Sequence, residues 1–156
     1  MVDASPLILL GKIDRIGLLG ALADELVVPQ AVAQEVRAKP GGAPALDQIG
    51  LRPGARIASE VAVTPELRAW DLGRGELQVL AHTALVPGSR AVLDDLAARR
   101  CAQALGLPVI GTLGVVLRAR RKGLIEAARP VIDHLRRVGL HASDELIERV
   151  LAHLGE

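Results

Sequence analysis

The stretch RAVLDDLAARRCAQALGLPVIGT, residues 90–112, decides the fold. Arg90 to Leu93 is a short apolar run that predicts a buried strand, and it ends on the pair Asp94-Asp95. Ala97, Ala98, Cys101, Ala102 and Leu105 then recur at helical spacing, and Gly106 supplies the stop. Pro108-Val109-Ile110 predicts the next strand, and Gly111-Thr112 opens another helix. Short apolar strands alternating with helices indicate a parallel sheet covered on both faces. In such sheets ligands bind beyond the carboxyl ends of the strands, at the topological switch point. Asp94-Asp95 lies at such an end.

The same grammar extends towards the N-terminus. Met1-Val2-Asp3 predicts a very short strand ending near Asp3, with Ser5 as cap and Pro6 as first position of the following helix. Ile16, Leu18, Leu19 and Leu22 mark a second helical stretch. Leu26-Val27-Val28 is a strand closed by Pro29, and a helix then runs to about Arg37. Lys39 to Gly54 is punctuated by Pro40, Gly41, Gly42, Pro44, Pro53 and Gly54, which predicts a loop with at most one helical turn around Leu46. Arg56 to Val63 reads as a strand. Leu77, Leu80, Ala81, Ala84 and Leu85 give the apolar face of a helix. Beyond the helix opened by Thr112, two more close the chain. The last starts at Ser143-Asp144-Glu145 and carries Ile147, Val150, Leu151 and Leu154. The expectation is one α/β domain over residues 1–156, with a C-terminal helical extension from about residue 126, so that Glu126 falls in a helix.

Composition narrows the function. Half the residues are apolar, and Trp70 is the sole aromatic residue, which argues against recognition of bases on aromatic platforms. A net charge of +1 excludes a strongly basic nucleic-acid coat. Of the 19 basic residues 16 are Arg, a side chain suited to phosphate, although codon usage accounts for the excess at least as well. Arg99, Arg118, Arg121 and Lys122 are the candidates for phosphate contact, against a default reading as solvated charge. Cys101 reads as a core residue that cannot form an internal disulfide. The apolar run Pro6 to Leu10 is too short to span a bilayer, so a soluble cytoplasmic protein is expected. His82, His134, His141 and His153 lack zinc-ligand spacing, and His82 is expected at the surface. There is no nucleophile elbow, phosphate loop or dinucleotide glycine motif.

The acids carry the chemistry. Asp3 and Asp94-Asp95 end strands; Glu35 and Glu76 sit on helices that can lean over the same edge. Each has a plain alternative: Asp3 as a turn residue, Glu35 as a solvated helix residue, Glu76 as a favourable charge at a helix start. Two adjacent acids ending a buried strand are harder to explain that way. Carboxylates forced together repel and lose solvation, and a divalent cation removes that penalty. Mg²⁺ and Mn²⁺ prefer oxygen ligands, activate bound water and offset charge on a phosphoryl oxygen. The set suits phosphodiester hydrolysis.

These segments together resemble the PIN-domain family. The matching pieces are Val2-Asp3-Ala4-Ser5-Pro6-Leu7, Val28-Pro29 through Glu35-Val36, Gly73-Arg74-Gly75-Glu76, Leu93 through Arg99, and Gly106 through Val115. The resemblance implies a three-layer α/β/α sandwich with a short parallel sheet, and a Mg²⁺ or Mn²⁺ site made by three or four acids. It implies an RNA substrate and a ribonuclease, many members being VapC-like toxins held by a small antitoxin, and it implies a homodimer. Position by position the acids are Asp3, Glu35, Glu76 and then Asp95 or Asp94, with Ser5 as support for a metal-bound water or, equally, a helix cap. Two departures stand out: Leu93 replaces a frequent Thr, and Ala97 replaces a common further acid. They open an alternative, a weak or inactive PIN fold that binds RNA or a regulator. A third reading, a phosphohydrolase or receiver-like domain with Asp3 or Asp94-Asp95 as phosphate acceptor, is weakened because no Asp-x-Asp pair follows the first strand.

Overall fold

The computed structural model describes residues 1–40, 42–50 and 52–156. Its sheet is small and entirely parallel. β1 (Leu26–Pro29) pairs with β2 (Ala55–Ala58), and β3 (Ala91–Val92) pairs with β4 (Val109–Ile110). Val2 joins the two pairs. It bridges to Val92, and its amide donates to the Val27 carbonyl at 3.1 Å. The spatial order is therefore β2, β1, Val2, β3, β4, and the chain reverses its winding direction at Val2. Asp3 is the next residue, so it stands at the switch point that this topology creates.

Helices cover both faces: α1 (Ala4–Lys12), α2 (Gly17–Ala21), α3 (Gln30–Ala38), α4 (Gly42–Gly50), α5 (Pro65–Arg68), α6 (Arg74–Leu85), α7 (Leu96–Ala104), α8 (Thr112–Arg121), α9 (Arg129–Arg137) and α10 (Asp144–Ala152). The α/β class and the layered arrangement with a short parallel sheet agree with the sequence. One core runs through the molecule, with Val2, Leu7, Leu10, Val28, Val32, Leu80, Leu93 and Val116 fully buried. Cys101 belongs to it. Gly106, at φ +67°, closes α7, and Ser143 caps α10 by accepting from the Leu146 amide. Among the described residues, no helix is long and apolar enough to cross a membrane.

Several local expectations are corrected. Residues 42–50 form a nine-residue helix, not a loop with one turn. Ala45, Leu46 and Ile49 bury one face of α4 against α1 and α3, and that burial overrides the Gly and Pro punctuation. Gly41, also read as punctuation, lies outside the described residues. Ser5 does not cap α1: the helix begins at Ala4, Asp3 occupies the cap position, and Ser5 is exposed. Pro6 is tolerated one turn in because its missing N–H belongs to the four that need no helical acceptor. Glu126 lies in a bend before α9.

The strand expected over 56–63 stops at Ala58. Side chains of α6 take over its backbone groups. The Gln78 carboxamide accepts from the Val61 amide and donates to the Val61 carbonyl, both at 2.9 Å. Arg74 pairs with Glu60. The third fastening is His82, which is buried rather than at the surface, with Nε2 3.1 Å from the Ser59 carbonyl. Burial holds its imidazole below the ordinary value. Gln78 is 4% exposed, so Gln78→Leu leaves both Val61 groups unpartnered. A loss of about 2 kcal/mol in urea unfolding is expected, and an unchanged midpoint would contradict the strap.

Candidate active site

Asp3 sits in the cap position of α1 with extended backbone. It is 5% exposed, and its Oδ1 is buried with no hydrogen-bond partner among the described residues. Burial pushes its pKa up to about 7, against the pull of the Ala4 amide; the charges of Glu76 and Glu35 push it further up. A buried, unpartnered carboxylate oxygen beside two other carboxylates is costly unless something positive offsets it.

Glu35 and Glu76 reach this place from two different helices. Val32 and Val36 bury one face of α3 and leave Glu35 beside the rim. Gly75, in the first turn of α6, permits the approach. A Cβ added there would stand 3.0 Å from Glu35 Oε2, 3.4 Å from Asp3 Oδ1 and 3.3 Å from Val32. Glu76 follows directly. Its Oε2 accepts from the Gly73 amide at 2.9 Å. Burial raises its pKa against that hydrogen bond, and the charges of Asp95 and Glu35 add to the rise. Asp3, Glu35, Glu76 and Asp95 thus share one electrostatic neighbourhood at the carboxyl edge of the sheet.

The two adjacent acids after β3 are placed differently. Both oxygens of Asp94 are taken by Thr112: Oδ1 accepts from its amide at 2.7 Å and Oδ2 from its hydroxyl at 2.6 Å. Thr112 is fully buried. Asp94 therefore pins the end of β3 to the start of α8. Asp95 is exposed and caps α7, its Oδ1 accepting from the Ala98 amide at 2.8 Å. The sequence left the choice between them open; the geometry gives them separate tasks.

The acids are near one another but do not touch as oriented. Among the described residues, no group of three or more Asp, Glu, His or Cys stands close enough to hold a metal ion. Each acid other than Asp3 already has a protein partner. Glu35 Oε1 accepts from Lys39 Nζ at 2.7 Å, a pair one helical turn apart whose spacing is legible in the sequence. The other three have the partners given above. Ser5 points to solvent beside Asp3 in the chain. Among the basic candidates, only Arg99 is at this edge: its Nη1 would lie 3.0 Å from a Cβ on Gly111, beside Asp94. Arg118, Arg121 and Lys122 lie six to ten residues along α8 from Thr112, about 9–15 Å away, at the opposite edge. The site residues that the sequence did not single out are Gly75, Lys39 and Thr112. Thr112 carried no local signal, since its partner is 18 residues away.

The family model described as a PIN domain matches residues 1–156, the whole chain. The chain belongs to the PIN-domain family. No curated protein and no solved structure matches it. PIN domains have a nuclease-type fold.

The state of Asp3 has a consequence for stability. Below its ordinary pKa of 3.8 the carboxyl is protonated in folded and unfolded chains alike. Between there and about 7 the unfolded chain loses the proton and the folded chain keeps it, so stability falls as pH rises through that window. In chelator, Asp3→Asn is expected to remove this fall and raise stability at pH 8 by on the order of 2–4 kcal/mol. Urea unfolding of both proteins at several pH values reads it. Parallel pH profiles would show that Asp3 is not the strained group.

Proposed function

We propose that this PIN domain is a metal-dependent endoribonuclease whose centre is Asp3, Glu35, Glu76 and Asp95. The observation that carries the reading is the buried, partnerless Oδ1 of Asp3, set within the field of two further carboxylates. An all-oxygen donor set with one acid held out of solvent suits Mg²⁺ or Mn²⁺. Asp3, Glu76 and Asp95 are the residues to hold the ion. When bound, the metal lowers the pKa of water and offsets charge on a phosphoryl oxygen.

The chain's own residues do the rest. Glu35 orients the attacking water or takes its proton. Lys39 steadies Glu35 through their ion pair. Arg99 is the cation placed to receive a phosphate at this edge. Asp94 and Thr112 hold the end of β3, and with it Asp95, in register with α8. Gly75 leaves room between Glu35 and Asp3. The finer form of this proposal is the toxin of a toxin–antitoxin pair, cytoplasmic and homodimeric, with a small protein inhibitor covering the acid rim.

Two observations favour a second reading, a non-cleaving PIN fold that binds RNA or a regulator. Glu35, Glu76 and Asp95 all have protein partners as they stand. Leu93, where the family often carries Thr, is fully buried in the core and offers no hydroxyl.

Single-stranded RNA incubated with the purified protein and Mn²⁺ separates the two. Cleavage that disappears in Asp3→Asn and in Glu76→Gln, with folded variants, is the expected result. Intact RNA with the wild-type protein, or equal cleavage by Asp3→Asn, would remove the nuclease reading. Gly75→Ala tests the geometry independently. Its methyl group would stand between Glu35 and Asp3, so calorimetric Mn²⁺ affinity is expected to fall at least about tenfold while thermal stability is kept. Undiminished affinity would mean that the ion does not bind between those acids.

A further inference from the structure

The opposite edge of the sheet holds a cleft that the acid centre does not use. It has a volume of about 410 Å³, within the range of small-ligand sites. Leu22, Val86, Ile110 and Val115 are among its lining residues, and none of its lining side chains is aromatic. Arg90, just before β3, and Arg118, in the last turns of α8, complete it.

Neither arginine has a carboxylate within 4.0 Å among the described residues. Partial desolvation, then the like charges of Arg90 and Arg121, holds the Arg118 guanidinium below its ordinary value. Two acids also line the cleft. Glu25 is engaged by Arg56 at 2.5 Å, while Asp24 has no cation partner among the described residues. Arg90 and Arg118 therefore face Asp24 as the one acid of the cleft without a cation partner among the described residues, and the Met1 terminal amine, which donates to the Arg90 carbonyl at 2.7 Å, adds a further basic group to the same cleft. Like charges gathered beside an aliphatic wall are relieved by an anion whose body is apolar.

We propose that this cleft binds a small organic anion with an aliphatic body, its charged head held by Arg90 and Arg118 and its chain lying on Leu22, Val86, Ile110 and Val115. A carboxylate and a phosphate share the chemistry of the head, since a guanidinium pairs with either through two parallel hydrogen bonds. The aliphatic lining selects a hydrocarbon body over a base, which needs a ring to stack on. The site is independent of the nuclease reading, because no rim acid belongs to it.

Calorimetric titration of the full chain with octanoate, octyl phosphate and inorganic phosphate tests it. Saturable one-to-one binding of octanoate or octyl phosphate is expected, and whichever binds more tightly identifies the head group. Binding should weaken about tenfold or more in Arg118→Gln and in Arg90→Gln, and stay unchanged in Glu76→Gln. Arg118 is exposed, so its variant is expected to keep the wild-type melting temperature and suffices alone if Arg90→Gln does not fold. Absence of saturable binding of both amphiphiles at millimolar concentration would overturn the proposal. So would affinities that survive the Arg118 change. Inorganic phosphate binding as tightly as octyl phosphate would overturn the aliphatic half of it.

Discussion

A carboxylate fixed at the centre of a parallel sheet constrains everything around it. Val2 must stay in the sheet because residues 1–3 join β1 to β3, Val2 bonding Val27 while Met1 and Asp3 bond Val92, and Asp3 is one residue later. The Asp3 side chain cannot retreat to water. It is enclosed by α1, by α6 at Gly75 and by Val32 and Glu35 of α3, so its charge must be neutralised by a proton or by a cation. The same enclosure makes the ionised carboxylate costly in the free protein.

The surrounding structure sets how far the other acids can respond. Glu35 is tied to Lys39 at the surface, where an ion pair is worth little and is readily exchanged. Glu76 and Asp95 each accept one backbone amide, which leaves oxygen lone pairs in reserve. Asp94 differs, because both of its oxygens serve a fully buried threonine. The pair Asp94-Asp95 therefore divides into an anchor and a helix cap whose charge acts on Glu76. α6 is strapped through Glu60, Val61 and Ser59, which keeps Gly75 and Glu76 against the sheet.

Much of this was legible in the sequence because it depends on period and order. The alternation of apolar strands with helices gave the sheet, and Gly106 and Ser143 marked the helix ends that they do mark. Asp3 and Asp94-Asp95 stood out as candidates because they follow strands, and Glu76 because it opens a helix; Glu35 lies in the middle of α3 and had only its place beside Val32 and Val36. What was missed depends on contacts distant in the chain. α4 forms where Pro and Gly argue against it, because Ala45, Leu46 and Ile49 find apolar partners in α1 and α3. His82 is buried because a carbonyl 23 residues away receives it. Asp94 could not be told from Asp95 until Thr112 was seen to occupy one of them. The basic residues of α8 and Arg99 were separate candidates for phosphate contact, and a helix that starts at the acid edge carries its last turns to the other side.

In the proposed centre the unpartnered oxygen of Asp3 meets a divalent cation. A crystal of the wild-type protein grown with Mn²⁺, with anomalous scattering recorded at the manganese edge, tests it most directly. A peak bonded to Asp3 Oδ1 is expected, with Glu76 or Asp95 turned from its present partner towards the ion. Manganese bound only elsewhere, with Asp3 still buried and untouched, would contradict it.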